Sequence, residues 1–326
     1  MGWSRTERPA RSSSLAAHGE CEAPRPGFAR LTPRLAMRAS ARYHVASVTK
    51  TFVSTVVLQL EAEGRLTIDD SVEHWLPRIV PNGASITLRE LLNHTSGIFD
   101  YTADEAFGTT ILGDPGRTWA PRELVAIALS HPPLFSPGTN WSYSNTNYIL
   151  LGLVVEAVTG RALSEELQQR IFEPLALGST SFPTGISLDD GLAHGYVALT
   201  PGGGLIDATP VLSPSYAWAA GGIVSNAADL TKFFSALFGG RLLPAAQLAE
   251  MKTGSSSNGV YGLGLRTATV RCGKVFGHDG DYPGYRNVVW ATSNGRRVSV
   301  VMINIDDSRV RWSKLQAAAR TALCSG

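Results

Sequence analysis

The segment Ala46-Ser47-Val48-Thr49-Lys50-Thr51-Phe52 decides how the rest of the sequence is interpreted. Ser47 and Lys50 stand three residues apart, at the start of an apolar run that predicts a buried helix over Lys50–Glu63 ended by Gly64. Residues three apart share a helix face, so the lysine nitrogen can reach the serine hydroxyl. A serine nucleophile needs a base, and burial that keeps part of the lysine neutral would supply one. A helix cap followed by a surface lysine would show the same spacing.

A second polar segment, Tyr143-Ser144-Asn145, lies in a stretch rich in Asn, Ser and Thr, just before an apolar helix predicted over Tyr148–Val158. Two residues apart on an irregular turn, Tyr143 and Asn145 point the same way. A phenol can pass a proton, and an amide can hold both Lys50 and a substrate carbonyl. An ordinary polar turn before a helix would have a similar composition.

The third segment, His278-Asp279-Gly280, ends a predicted strand and is followed by Asp281. The edge of such a strand can pair with a peptide-like substrate, and Gly280 leaves room for a close backbone approach. A glycine-rich hairpin with one exposed histidine is the alternative interpretation of this segment.

In the order S-x-x-K, Y-x-N, H-x-G, the three segments together resemble the motifs of the serine β-lactamase and penicillin-binding superfamily. The similarity is greatest to the branch with class C β-lactamases and D-Ala-D-Ala carboxypeptidases, the serine peptidase family S12 type. It covers roughly residues 40–320. Further segments that agree are Leu91-Leu92-Asn93-His94-Thr95-Ser96-Gly97, Pro137-Gly138 and Ala220-Gly221-Gly222 followed by Ser225.

The resemblance implies an acyl-enzyme mechanism that requires no metal and no organic cofactor. Ser47 would be the acylated nucleophile, and Lys50 would be its proton partner. Tyr143 would activate the deacylating water or protonate the leaving group, and Asn145 would position the reacting groups.

The resemblance also implies roles for the H-x-G segment. His278 stands where these proteins carry Lys or His, and it would keep the local potential positive. The backbone N–H groups of Ser47 and Asp281 would form the oxyanion hole. Asp279, Gly280 and Asp281 would line the substrate-binding edge.

One position departs from the family pattern. Asp279 replaces a hydroxyl residue that helps to bind the carboxylate of β-lactams and D-Ala-D-Ala, and Asp281 adds a second acid. Two carboxylates would weaken the binding of an anionic substrate unless they point away or pair with a cation. The candidate cations are Arg286, Arg271 and Lys274.

The sequence therefore predicts a serine hydrolase related to D-Ala-D-Ala carboxypeptidases or β-lactamases, acting on a small-molecule or peptide acyl substrate. An esterase or another amide hydrolase of the same fold stays open because of the two acids. A non-catalytic penicillin sensor that remains acylated and an inactive homologue stay open as well.

The order of elements predicts an α/β (α+β) fold, with an antiparallel sheet flanked by helices and a mainly helical insertion. We expect the α/β part over about 43–66 and 220–326, and the helical part over about 67–219. Residues 1–42 carry a net charge of +5 and four dispersed prolines, which predicts a basic, disordered or aberrant arm without strands. Strand-like runs follow at Gly259–Thr267, Val270–Phe276, Tyr285–Ala291 and Val298–Ile305, and a last helix at about Ser308–Leu323.

The composition of the chain limits the kinds of partner that we expect. The net charge of +2 gives no reason to expect a nucleic acid, and no apolar run approaches the ~20 residues of a membrane span. The three cysteines allow one disulfide, and neither they nor the seven histidines show metal-ligand spacing. We expect a monomer. The sequence as written shows no signal peptide, but similar proteins are often exported, so localisation stays open.

Overall fold

The main sheet is antiparallel throughout. The computed structural model describes residues 11–16, 27–186, 191–200, 203–254 and 259–325. Within these residues, five strands pair in the order β1-β11-β10-β9-β8. Their bounds are β1 Arg11–Ala16, β8 Arg266–Val270, β9 Gly273–Tyr282, β10 Tyr285–Thr292 and β11 Val298–Ile303. A tight turn containing Asn294-Gly295 joins β10 to β11, and Gly295 supplies the positive φ, +68°, that such a turn needs.

The two faces of this sheet belong to two different hydrophobic cores. Val288 and Trp290 of β10 pack with a helix at Trp312–Cys324, whereas Val289 and Ala291 pack with the large core on the opposite face. Alternate residues of a strand point to opposite faces, which explains this division. Neighbouring residues of β9 consequently face opposite sides of the sheet. His278 and Asp279, the first two residues of the H-x-G segment, therefore lie on different faces.

Helices fill the space on the large-core side of the sheet and build the insertion. Among the described residues the first helix is buried along nearly its whole length and ends before Gly64, whose φ is +68°, as the sequence predicts. A capping box of Thr87 and Glu90 opens the third helix. The bounds are α1 Thr49–Ala62, α2 Val72–Trp75, α3 Leu88–Leu92, α4 Glu105–Gly113, α5 Pro121–Leu129, α6 Asn145–Thr159, α7 Leu163–Leu167, α8 Trp218–Gly221, α9 Ala227–Phe238, α10 Ala245–Met251 and α11 Trp312–Cys324.

Short strands tie the parts of the chain together. One antiparallel pair joins the segment before Ser47 to the segment after Gly222, so the start of α1 is held beside α8. The short strands are β2 Phe28–Leu31, β3 Arg34–Ala36, β4 Tyr43–His44, β5 Tyr196–Ala198, β6 Leu205–Asp207, β7 Val224–Ser225 and β12 Ile305–Asp306, paired as β2-β3, β4-β7 and β12-β5-β6.

The prediction of a disordered arm without strands is wrong wherever the structure describes residues 1–42. Arg11–Ala16 pairs with the whole of β11, and β2 and β3 form a hairpin. An edge strand can be held by backbone hydrogen bonds alone, so it needs no alternation of apolar and polar side chains. The serine-rich segment lacks that alternation, and the sequence therefore gave no sign of a strand. Residues 1–10 and 17–26 lie outside the described residues. The domain boundary at residue 43 stays a prediction.

Other elements differ from the prediction in extent. Residues 259–265 form an irregular segment before β8, and the strand predicted at Val270–Phe276 continues to Tyr282. The α-helix at Leu163–Leu167 continues into a π-helical turn at Gln168–Phe172. The last helix begins at Trp312, and β5 and β6 lie inside the mainly helical part.

One disulfide forms, between Cys272 in the β8–β9 turn and Cys324 at the end of α11. Among the residues that the structure describes, no helix has the length and apolarity to span a membrane. The described part of the chain also holds no group of three or more His, Cys, Asp or Glu side chains arranged to bind a metal ion.

Candidate active site

Ser47 lies on a 3₁₀ turn, Ala46–Val48, that leads directly into α1. Ala46 has a φ of +52°, a left-handed conformation that costs a non-glycine residue free energy and often marks a functional site. β9 passes directly beside this turn, since a Cβ on Gly280 would lie 2.2 Å from the carbonyl oxygen of Val45. The predicted close approach at Gly280 therefore exists, but the backbone that approaches is the chain's own.

Lys50 lies at the centre of the site and is fully buried. Its Nζ donates to Ser47 Oγ at 3.0 Å, to Asn145 Oδ1 at 2.7 Å and to the carbonyl oxygen of Ala220 at 2.7 Å. Burial lowers the pKa of Lys50 from 10.5 to about 7, with Asp100 opposing this shift. A large fraction of the amine is consequently neutral near pH 7 and able to accept a proton.

Tyr143 approaches Ser47 from the other side. Its hydroxyl donates to Ser47 Oγ at 2.8 Å, and Lys50 Nζ lies 4.9 Å from the centre of its ring. Burial raises the pKa of Tyr143, while the hydrogen bond to Ser47 and the charge of Arg266 work against the increase. The phenol therefore carries its proton at neutral pH and is placed to donate it.

Asn145 is the first residue of α6, and its amide joins two charged groups. The oxygen accepts from Lys50, and the nitrogen donates to Asp100 Oδ2 at 3.1 Å and to Thr102 Oγ1 at 3.3 Å. Asp100 is itself held by the backbone N–H and hydroxyl of Thr102. Asp100 thus holds the amide of Asn145, which in turn holds Lys50. The sequence analysis did not identify Asp100.

His278 does not provide the positive charge expected of it. Burial, with Arg266 and Lys50 nearby, lowers the pKa of His278 well below 6.5. Its Nδ1 lies 2.5 Å from the carbonyl oxygen of Asp279 and its Nε2 lies 2.9 Å from the hydroxyl of Tyr261. The cations that act on His278 are Arg266 and the protonated fraction of Lys50.

Asp279 faces the opposite side of β9 from His278. One carboxylate oxygen forms an ion pair with Arg266 Nε at 2.5 Å, and the other accepts from Gln316 of α11 at 3.3 Å. Only 22% of the side chain is exposed. The acid that replaces the family's hydroxyl is therefore turned toward α11 and paired, with a cation other than the three considered from the sequence.

Asp281 is half-exposed and lies 3.7 Å from Arg286 Nε, one of the three cations considered. Arg286 also pairs with Asp306 and donates to the carbonyl oxygen of Val310. Burial, followed by the charge of Asp306, raises the pKa of Asp281 to about 6. Two carboxylates thus share one guanidinium at the end of β9.

The structure brings Ser47, Lys50, Tyr143 and Asn145 into one hydrogen-bonded group, with β9 beside it. The residues that sequence reasoning missed are Asp100, the carbonyl of Ala220, His94, Tyr261 and Arg266. His94 and Ala220 stand in segments that supported the family resemblance, so their location was detectable but their roles were not. Tyr261 and Arg266 lie in a segment expected to be an ordinary strand.

Comparison with known proteins identifies the family to which this chain is similar. The model of the family described as Beta-lactamase matches residues 10–322. D-aminopeptidase of Brucella anthropi is 29% identical over 290 residues, which are 86% of this chain and 53% of that protein. This chain spans between about half and two thirds of the length of the curated relatives that it matches first.

Two solved structures share most of this fold. A D-stereospecific amidohydrolase from Streptomyces sp. superposes with a TM-score of 0.84 and 36% identity, covering 98% of this chain and 94% of that one. A penicillin-binding protein homologue from Pyrococcus abyssi gives a TM-score of 0.82 and 28% identity, covering 97% and 72%. The second is described as octameric, so the monomer expected for this chain stays a prediction.

Proposed function

The chain belongs to the beta-lactamase family and is a serine hydrolase of that fold, and we propose that it hydrolyses amide bonds of D-amino-acid substrates through an acyl-enzyme on Ser47. The observation that carries this proposal is the contact of a fully buried lysine with the serine hydroxyl at 3.0 Å. A buried amine with a pKa of about 7 is a base matched to neutral pH.

In the acylation step, neutral Lys50 accepts the Ser47 hydroxyl proton as Oγ attacks the substrate carbonyl carbon. A tetrahedral intermediate forms, and the carbonyl oxygen takes up the negative charge. Asn145 and the carbonyl of Ala220 hold the resulting ammonium, because they contact the same nitrogen. Keeping the base fixed in this way lowers the cost of reorganisation during the reaction.

Collapse of the intermediate breaks the C–N bond and needs a proton on the leaving nitrogen. Tyr143 is protonated and contacts Ser47 Oγ, so it donates to the amine that leaves from that side. Lys50, now an ammonium, returns a proton to the phenolate. Water then attacks the ester carbonyl with the same groups acting in reverse, which releases the acid and restores Ser47.

The oxyanion is expected to lie between the backbone N–H groups of Ser47 and Asp281. The two-residue turn at Pro283-Gly284 closes the hairpin at the pair Tyr282 and Tyr285. Neighbouring residues of an antiparallel strand direct their N–H groups to opposite edges, so the N–H of Asp281 points away from β10. β8 stops opposite Gly277, and its strand pairing does not cover that edge at Asp281.

Two observations support a D-amino-acid amide over an anionic acyl substrate. Arg266, the guanidinium beside β9, is already paired with Asp279 and is less available to a substrate carboxylate. The solved relative with 36% identity is a D-stereospecific amidohydrolase, and a curated relative is a D-aminopeptidase.

Turnover of D-alanine p-nitroanilide and its L enantiomer tests the proposal, with a fluorophosphonate as the probe of Ser47. We expect covalent labelling at Ser47 and faster release of p-nitroaniline from the D substrate. Equal rates for the two enantiomers would contradict the stereospecific part, and labelling of a different serine would contradict the mechanism.

A D-Ala-D-Ala carboxypeptidase or β-lactamase activity is the second candidate, supported by the penicillin-binding names among the relatives. It predicts that a D-Ala-D-Ala peptide or nitrocefin is turned over faster than the anilide. A penicillin sensor would instead retain the drug, and intact mass would show a stable adduct without product.

A further inference from the structure

Two buried histidines and a tyrosine form a hydrogen-bonded chain beside Tyr143, and nothing in the acylation chemistry uses them. The hydroxyl of Tyr261 lies 3.2 Å from His94 Nε2 and 2.9 Å from His278 Nε2. His94, Tyr261 and His278 are each at most 1% exposed. Buried polar networks of this kind are stabilising only when each member is satisfied, so the direction of every hydrogen bond matters.

The direction at His94 follows from its other ring nitrogen. Nδ1 lies 3.2 Å from the backbone N–H of Ser144 and 3.2 Å from Asn147 Nδ2. The amide oxygen of Asn147 accepts from Ser96, so its nitrogen is the end that faces His94. Two donors meet at Nδ1, which therefore carries no proton. The proton of His94 is on Nε2 and is donated to Tyr261.

The direction at His278 follows in the same way. Its Nδ1 faces the carbonyl oxygen of Asp279, which can only accept, so Nδ1 carries the proton. Its Nε2 is then an acceptor, and Tyr261 donates to it. The chain thus runs from the backbone N–H of Ser144 through both imidazoles to the backbone carbonyl of Asp279.

We propose that Tyr261 is a positioning residue, which joins the Tyr143 turn to the substrate-binding strand β9 through two histidines held neutral in opposite tautomers. Ser144 follows Tyr143 directly, and Asp279 lies two residues before the N–H of Asp281. The proposal rests on the proposed acylating role of Ser47 and Tyr143. In this role, Tyr261 sets the distance between the hydroxyl of Tyr143, which donates the proton, and the backbone N–H of Asp281, which binds the oxyanion.

Several features hold the chain in place. The ring of His94 packs against that of Tyr143, with centroids 4.3 Å apart. His94 keeps a left-handed φ of +64°, a conformation that its surroundings must enforce. The segment of Tyr261 is fixed on two sides, because the N–H of Gly264 donates to Leu92 and its carbonyl accepts from Thr51 of α1.

The charges around the imidazoles favour the same state. Lys50, Arg266, Asp279 and the phenols of Tyr143 and Tyr148 face this chain. Burial, Lys50 and Arg266 lower the pKa of both histidines. Protonation of His94 would also set its Nδ1–H against the N–H of Ser144. Protonation of His278 would set its Nε2–H against the hydroxyl proton that Tyr261 donates.

The test compares Tyr261→Phe with Tyr285→Phe. Tyr285 lies on β10, and its equally buried hydroxyl is hydrogen-bonded to the carbonyl oxygen of Ala193 and to Thr209. We expect a similar fall in Tm for both variants. Only Tyr261→Phe should lower kcat, by about tenfold, with KM unchanged within about twofold. A tenfold loss corresponds to ~1.4 kcal/mol of transition-state stabilisation. Equal kcat values in the two variants would overturn the proposal.

A second arm uses His94→Asn, which tolerates the left-handed φ and keeps an acceptor for Ser144 but is too short to reach Tyr261. If the residues act as one chain, His94→Asn and the double variant with Tyr261→Phe each lose about the same tenfold in kcat. If the double variant instead loses kcat by the product of the two single losses, the two residues act independently, and the proposal is overturned.

The tautomers give a readout apart from activity. Two-bond ¹H–¹⁵N spectra of the imidazoles should show the Nε2–H form for His94 and the Nδ1–H form for His278, and neither ring should titrate near the ordinary histidine pKa of 6.5. The opposite forms, or titration of either ring, would overturn the proposal. Failure of fluorophosphonate to label Ser47 in the parent enzyme would instead refute the proposed function and leave these spectra unaffected.

Discussion

The two sides of the active site are built in contrasting ways. On the helical side, Lys50 and Tyr143 both contact the hydroxyl of Ser47, and Asn145 holds Lys50. On the sheet side, β9 contributes mainly backbone groups, while its side chains alternate between two faces. His278 is buried against the helices, and Asp279 lies on the α11 side of the strand.

This contrast teaches which features of the site are fixed by chemistry and which by geometry. The helical side must lower one pKa and raise another, and burial does both. The sheet side must place an N–H and leave an edge open. We therefore expect its charged side chains to affect which substrates are accepted more than they affect the reaction itself.

The largest effect should come from Ser47→Ala. Removing the nucleophile should abolish covalent labelling and lower turnover by about 10⁴-fold or more. The β9 side would be unchanged, so binding of a substrate should persist with a similar Kd. Labelled peptide from another serine, mapped by mass spectrometry, would show that the helical side has been assigned wrongly.

Lys50→Ala should lower kcat by at least about 10²-fold, because no neutral amine then accepts the Ser47 proton. Lys232→Ala is the matched control, since that half-exposed lysine contacts Asp229 and Ala176 far from the motif residues in sequence. Circular dichroism should show both variants folded. Near-normal turnover in Lys50→Ala would mean that another group activates Ser47.

The pH dependence of kcat/KM tests the charge of Lys50. Because burial lowers its pKa to about 7 and the neutral form is the base, activity should rise with pH through about 7 and fall about tenfold per unit below it. Tyr143 stays protonated in this range, since its pKa is raised. An activity independent of pH between 5 and 8 would exclude Lys50 as the titrating base.

Much of the helical side was predictable because its residues are close in sequence and their chemistry requires the spacing. Ser47 and Lys50 share one turn, and Tyr143 and Asn145 share another, so local geometry already aims them. The capping box at Thr87 and the glycine after α1 are equally local signals. The family resemblance then joined segments that are far apart in the chain.

The missed features depend on contacts that no local pattern encodes. β1 is held by backbone pairing with β11, and Tyr261 bridges residues from two distant segments. The charge of His278 was misjudged because burial and two nearby cations, not its residue type, set its pKa. The partner of Asp279 was missed because Arg266 lies on a strand whose start was placed too early.

Asp279→Thr should have the smallest effect, and it addresses the sheet side alone. The change removes a carboxylate that pairs with Arg266 and restores the hydroxyl found in the family. A freed guanidinium should favour anionic substrates, so kcat/KM for nitrocefin or a D-Ala-D-Ala peptide should rise about five- to tenfold relative to a neutral anilide. That range corresponds to ~1–1.4 kcal/mol, a modest value because Arg266 is partly exposed and solvent screens its charge.

Asp279→Asn separates the two causes, because it removes the charge without adding a hydroxyl and keeps an acceptor for Gln316. If charge decides, both variants should gain on anionic substrates, and added salt should reduce the gain. Asp279 also raises the pKa of Lys50, so the midpoint of the pH profile should move below about 7 in both variants. A gain in Asp279→Thr alone, with the midpoint unchanged, would assign the effect to the hydroxyl. The paired carboxylate would then have no part in substrate choice, and the contrast between the two sides of the site would rest on backbone geometry alone.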